Sequence, residues 1–182
     1  LCAILIKLLI PLSRKIGLVD IPGNRKTHRG NIPIVGGIAI FVSIFSGMYY
    51  VEHKIDGYEI IFISSLVTIL IGVFDDIYDV SSFYRTVLHI ISAYIVVRYG
   101  GVLLNSFGFL FENVEIKLYS WSSVVTIFCI LGVMNSINMS DGIDGLSGSY
   151  SLVPLLFILY LTYSSGIYDY FYLALIIASS IF

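Results

Sequence analysis

Charge is scarce in this sequence. Only 12% of its 182 residues are Asp, Glu, Lys or Arg, while 58% are hydrophobic and the mean hydropathy is +0.95. Soluble domains carry about 25% charged residues. A chain this poor in charge cannot cover a water-facing surface, so the composition excludes a soluble globular domain and predicts an integral membrane protein. The net charge of −2 says little, because in a membrane protein the distribution of charge matters more than its sum. Cysteine is scarce too. Cys2 and Cys129 both fall in apolar stretches and read as packing thiols. They define no redox compartment, and no Cys/His spacing suits a metal. Solenoid repeats, low-complexity runs and soluble domains are also missing. The chain lacks an initiating Met and both of its ends lie inside apolar runs. It is therefore expected to be one integral-membrane domain, 1–182, incomplete at both ends. No small-residue cleavage pattern follows the first segment, which argues against a signal peptide.

What is present is a series of apolar runs separated by short polar ones. The runs are Leu1–Leu12, Ile34–Val51, Ile60–Phe74, Thr86–Tyr99, Ser122–Met134, Ser149–Tyr163 and Phe171–Phe182. The third is slightly shorter than the ~17–25 apolar residues of a usual span, so its polar end must approach the interface. Between the fourth and fifth runs, Glu112–Tyr119 alternates as E-N-V-E-I-K-L-Y, the pattern of a small hairpin or interfacial segment. The expected fold is an all-α polytopic membrane protein: about seven transmembrane helices of a larger bundle, with an extracytoplasmic hairpin near 100–121. Tyr49, Tyr50, Tyr58, Tyr99, Tyr119 and Trp121 cluster at run ends as an aromatic belt.

The distribution of charge orients the bundle. Ser13–Pro33 holds Arg14, Lys15, Arg25, Lys26 and Arg29, half of all the Lys and Arg. Short loops rich in Lys and Arg stay cytoplasmic. Counting runs from that loop puts the polar stretches Asp75–Arg85 and Asn135–Gly148 on the same face. Three stretches of polar chemistry thus meet at one membrane surface.

Each stretch has a chemical reading and a plainer one. In G-V-F-D-D-I-Y-D, Asp75 and Asp79 share a helix face at i,i+4 if the helix continues, and Asp76 pairs with Asp79 at i,i+3. Carboxylates this close repel, and Mg²⁺ suits one or two of them together with substrate phosphates. The plainer reading is a solvated acidic helix end, which the macrodipole disfavours. In N-S-I-N-M-S-D-G-I-D-G-L, Asn135, Asn138, Asp141 and Asp144 could meet a metal or sugar hydroxyls, or form only a polar turn whose glycines, Gly142 and Gly145, end the helix. In the basic loop, Arg25, Lys26, His28 and Arg29 suit phosphate, but the positive-inside rule or anionic lipid would also explain them. His53 reads as an outer-loop residue. His89 lies one helical turn after Arg85 and is expected to pair within the bundle.

Taken together, D-x-P-x-x-R-K-x-H-x-x-x-x-P-x-x-G-G at Asp20–Gly37, G-V-x-D-D-x-x-D at Gly72–Asp79 and N-x-x-N-x-x-D-G-I-D-G-L at Asn135–Leu146 resemble the polyprenyl-phosphate N-acetylhexosamine-1-phosphate transferases, the WecA/TagO group related to MraY. They stand in that family's order and at similar separations across nearly the whole chain. The resemblance implies transfer of a sugar-1-phosphate from a UDP-N-acetylhexosamine to undecaprenyl phosphate. UMP leaves, and the step is the first membrane step of a cell-envelope glycan, lipopolysaccharide or teichoic acid. It implies Mg²⁺, with Mn²⁺ as a substitute, held at Asp75, Asp76 and Asp79. Asp75 and Asp76 would be catalytic, as base or as nucleophile. Asn135, Asn138, Asp141 and Asp144 would face the nucleotide-sugar, and Lys26, His28 and Arg29 its phosphates. The site would open to the cytoplasm in the inner membrane, with no nucleic acid as partner and a homodimer allowed. The family's later G-D-x-G-S motif and His-rich loop would follow Phe182, so this stretch alone is expected to be inactive.

Other readings predict different residues. A prenyltransferase needs a second acidic cluster on a regular helix, and Asp141 and Asp144 are flanked by glycine. An alcohol phosphatidyltransferase needs Ala-Arg and an Asp pair after D-G-x-D-G, where this chain has Leu146–Ser149. An ion-coupled transporter predicts acids in mid-span, and here they fall at run ends.

Overall fold

A computed structural model describes residues 1–20, 32–51, 58–78, 80–111, 114–140 and 145–182. The described chain holds seven α-helices. In order they are α1 (Cys2–Ile16), α2 (Gly36–Tyr50), α3 (Tyr58–Tyr78), α4 (Ser82–Tyr99), α5 (Ser122–Ser140), α6 (Leu146–Ser164) and α7 (Tyr168–Ile181). Two small antiparallel ladders join them. Strands β1 (Val19–Asp20) and β2 (Ile32–Pro33) pair Val19 with Pro33 and Asp20 with Ile32, which brings together the two ends of the segment between them. Strands β3 (Ser106–Phe111) and β4 (Val114–Lys117) form the hairpin between α4 and α5.

Helices extend past the apolar runs that predict them. The third run stops at Phe74, but α3 continues to Tyr78, and α4 begins four residues before Thr86, at Ser82. The stretch read as a polar loop, Asp75–Arg85, is mostly helix. Likewise α5 continues beyond Met134 through Asn135 and Asn138 to Ser140. Hydropathy marks the hydrocarbon layer, whereas backbone hydrogen bonding carries a helix on into the interface. The hairpin is present, although its first strand is the apolar S-F-G-F-L-F rather than an alternating run.

Burial is inverted relative to a soluble protein. The buried positions are mainly small: Ala39, Ser43, Ser64, Ser92, Ala93, Ala174, Ala178 and Ser180. Large apolar side chains point outward, among them Leu66, Leu70, Phe128, Leu156 and Phe157. Small residues let helix backbones approach where lipid, not water, surrounds the bundle. Helices α3, α5 with its preceding turn, and α6 are long and apolar enough to cross a membrane; α2 and α7 are apolar but shorter. The protein is therefore a mostly helical membrane protein.

Neighbouring helices pack in sequence from α2 to α7, and α7 packs back on α2. The six helices close a cycle, with α1 against α2. At the closure, a Cβ on Gly47 would stand 2.8 Å from Ile176 Cγ2, so glycine is what permits that approach. The hairpin is tied to the start of α5: Leu104 N–H donates to Thr126 Oγ1 at 2.9 Å, and the Ser122 hydroxyl donates to the Leu104 carbonyl.

Candidate functional site

The topology gathers three connections at one end of the bundle. Packed helices joined by short segments run antiparallel, while the β1–β2 ladder brings the end of α1 to the start of α2 and Leu104 ties the end of α4 to the start of α5, so α1–α2, α3–α4 and α5–α6 turn at one end, and α2–α3, α4–α5 and α6–α7 at the other. Among the described residues, that first end carries Asp75 and Asp76 on α3, Arg85 on α4, and Asn135 and Asn138 on α5. Lys26, His28, Arg29, Asp79, Asp141 and Asp144 lie outside the described residues.

A polar seam fixes α3 against α4. On α3 it runs through Ser64, Thr68, Ile71 and Asp75; on α4 through Ser92, His89 and Arg85. These positions are three and four apart, so each set falls along one helix face. The Thr68 and Ser92 hydroxyl oxygens are 2.8 Å apart. Both also approach the Ser64 carbonyl, Thr68 at 2.9 Å and Ser92 at 3.0 Å. Two hydroxyl hydrogens serve these three contacts, so one contact at a time lacks a proton.

At the mouth of the seam, Arg85 Nη1 donates to Asp75 Oδ2 at 2.7 Å. This is the length of a charge-assisted bond. The side chains are 30% and 20% exposed, so water screens the pair in part and its stabilisation is modest. The contact uses one carboxylate oxygen, and Asp75 Oδ1 has no hydrogen bond among the described residues. Arg85 escapes a reading of apolar runs because its partner is ten positions away in sequence. Only when both helix ends are known does the antiparallel register set the two opposite each other.

One expectation changes here. His89 makes no pair through Nδ1, which is buried without a hydrogen-bond partner among the described residues. The antiparallel register places it level with Ile71, an apolar neighbour that can offer it nothing. Asn135 and Asn138 lie on α5, in keeping with their spacing of three and a helix ended by the following glycines, both exposed, and neither is hydrogen-bonded to Asp75. The Ser140 hydroxyl closes the last turn of α5 on the Ile137 carbonyl at 2.8 Å. Gly145, at φ 76°, caps the start of α6 in the left-handed region that suits glycine.

No group of three or more His, Cys, Asp or Glu among the described residues could hold a metal. Mg²⁺ asks less of the protein, one or two carboxylates with the remaining ligands from water and phosphate. Asp75, partly exposed and with Oδ1 making no hydrogen bond among the described residues, fits as one such ligand.

Comparison with known proteins bears on the whole of this end. A family model described as glycosyl transferase family 4 matches residues 58–182. The chain is 32% identical over 142 residues to the undecaprenyl-phosphate alpha-N-acetylglucosaminyl 1-phosphate transferase of Escherichia coli (strain K12), covering 78% of this chain and 39% of the relative. It is 34% identical over 152 residues to the protein of the same name from Yersinia pestis, with 84% and 42% covered. A probable undecaprenyl-phosphate N-acetylglucosaminyl 1-phosphate transferase of Bacillus subtilis (strain 168) is 30% identical over 156 residues, again with 84% and 42% covered. The chain thus spans about two-fifths of the length of these curated relatives. No solved structure matches it. By the family match and the relatives together, the chain belongs to glycosyl transferase family 4.

Proposed function

We propose that the protein transfers N-acetylglucosamine-1-phosphate, or a closely related N-acetylhexosamine-1-phosphate, from a UDP-sugar to undecaprenyl phosphate. An oxygen of the lipid phosphate attacks the phosphorus that carries the sugar. The bond from that phosphorus to the bridging oxygen breaks, UMP leaves, and a lipid-linked diphosphosugar forms. The product begins a cell-envelope glycan at the cytoplasmic face of the inner membrane. The observation that carries this reading is the Asp75–Arg85 pair at one end of a lipid-facing bundle.

The chemistry suits that place. The acceptor is a lipid, so its phosphate can reach only a site at the membrane surface. Donor and acceptor are both anionic, so catalysis is mostly positioning and charge neutralisation. A divalent cation, Mg²⁺ or Mn²⁺, supplies charge neutralisation at the diphosphate when bound. Asp75, Asp76 and Asp79 would hold it. Asn135 and Asn138 present amides near the end of α5, able to donate to and accept from sugar hydroxyls or the acetamido group. With Asp141 and Asp144 they form the donor side, while Lys26, His28 and Arg29 offer cations to phosphate.

The test uses the full-length protein in nanodiscs, supplied with UDP-N-acetylglucosamine, undecaprenyl phosphate and Mg²⁺. Equal amounts of UMP and undecaprenyl diphosphoryl-N-acetylglucosamine are expected. Cation flux without a lipid product would favour a transporter instead.

A further inference from the structure

We propose that Arg85 is a positioning residue: it holds Asp75 by Oδ2 and turns Oδ1 outward to a divalent cation, so that removing Arg85 tightens cation binding while it slows transfer. The inference rests on the proposed metal role of Asp75.

Its basis is the geometry of the pair. A free Asp carboxylate rotates over a broad, roughly two-fold torsion. Here one oxygen is held at 2.7 Å by a guanidinium nitrogen, and the other makes no hydrogen bond among the described residues. The two residues sit on helices already registered by the Thr68, Ser92 and Ser64 contacts, so the carboxylate is oriented by a rigid frame. Both side chains are partly exposed, so a ligand can reach the pair.

The placement is unfavourable for helix stability taken alone. Asp75 lies in the last turn of α3, where the macrodipole opposes an anion. Arg85 lies at the first turn of α4, where it opposes a cation. Stability alone would favour the reverse assignment. The arrangement makes sense if a carboxylate is needed at this end and Arg85 keeps it aimed until a cation arrives. Two consequences oppose each other. Arg85 occupies a lone pair and repels a second cation, which weakens metal binding. It also fixes the direction of the remaining oxygen, which favours transfer.

The full-length protein, Arg85→Ala and Arg85→Lys are compared in detergent. Mn²⁺ binding is read by electron paramagnetic resonance without substrate, and kcat and the donor KM by UMP release. For Arg85→Ala, Mn²⁺ should bind roughly ten- to a hundredfold more tightly, the ratio that matches one lost charge-assisted hydrogen bond, while kcat falls at least tenfold. Arg85→Lys keeps the charge and should restore most of kcat with near-native Mn²⁺ affinity, which also covers the case in which the alanine variant misfolds. Weaker Mn²⁺ binding in Arg85→Ala overturns the proposal. So does unchanged Mn²⁺ binding with a raised donor KM, which would make Arg85 a substrate contact. Asp75→Asn separates the underlying reading: if it leaves Mn²⁺ binding intact, Asp75 is not a metal ligand and the failure lies there.

Discussion

The seam between α3 and α4 allows a graded test of what frames the site. Ser92 is 4% exposed, and its hydroxyl meets Thr68 Oγ1 at 2.8 Å and the Ser64 carbonyl at 3.0 Å. In Ser92→Ala both contacts vanish. Thr68, at 2.9 Å from the same carbonyl, still satisfies it, so no buried acceptor is orphaned and the larger desolvation penalty does not apply. What remains is the net worth of one hydroxyl. Interhelical hydrogen bonds in membranes average about 0.6 kcal/mol and those in proteins generally about 1 kcal/mol, so a loss of about 0.5–1.5 kcal/mol is expected. Thr68→Ala should cost a similar amount. Because the two hydroxyls share one carbonyl, the double variant should differ from the sum by about 0.5 kcal/mol or more. The assay is reversible unfolding of the full-length protein in mixed micelles of rising SDS fraction. A loss above about 3 kcal/mol for Ser92→Ala would mean that a buried group is orphaned after all. Strict additivity of the two changes would mean that the hydroxyls do not share the carbonyl. Either result refutes the seam as described.

Three further outcomes follow from the fold. Gly47→Ala places a methyl 2.8 Å from Ile176 Cγ2 and should lower stability by about 1–3 kcal/mol; combined with Ile176→Ala, thermal unfolding should show less than the sum of the two losses. His89→Leu removes a buried nitrogen without a partner and should raise stability by about 1 kcal/mol, whereas destabilisation would reveal a partner for that nitrogen. Phe157→Lys puts a charge on the lipid-facing side of α6, where Phe157 is 62% exposed. It should disfavour insertion of that helix by about 3 kcal/mol in a translocon-based glycosylation assay.

Much of this end of the molecule is legible in the sequence, because its signals are local. Scarce charge and long apolar runs identify a membrane bundle. Helix ends are less legible. Phe74 and Met134 end apolar runs, yet α3 reaches Tyr78 and α5 reaches Ser140, because a helix leaving the hydrocarbon keeps its backbone bonds when its side chains turn polar. That difference puts Asp75 and Asp76 on a helix rather than in a polar loop. Pairings across helices are the least legible. The Asp75–Arg85 bond depends on where α3 ends and α4 begins together, and the isolation of His89 depends on a register that brings Ile71 rather than a polar group to its level. The hairpin falls between these cases: β4 lies within the alternating run, while β3 gives no alternation to read.

The central claim is that the α3 end, through Asp75, is the chemical centre of a phosphosugar transfer. Asp75→Asn keeps the shape and leaves an amide oxygen to accept from Arg85, so the pair weakens while the fold stands. The most direct measurement is UMP release from UDP-N-acetylglucosamine by the full-length protein with undecaprenyl phosphate, wild type against Asp75→Asn, with the unfolding midpoints of both recorded. A fall in kcat of about a thousandfold, ~4 kcal/mol of barrier, with a midpoint shift within what one partly screened ion pair contributes, is the predicted result. Transfer that survives in a folded Asp75→Asn protein contradicts the account.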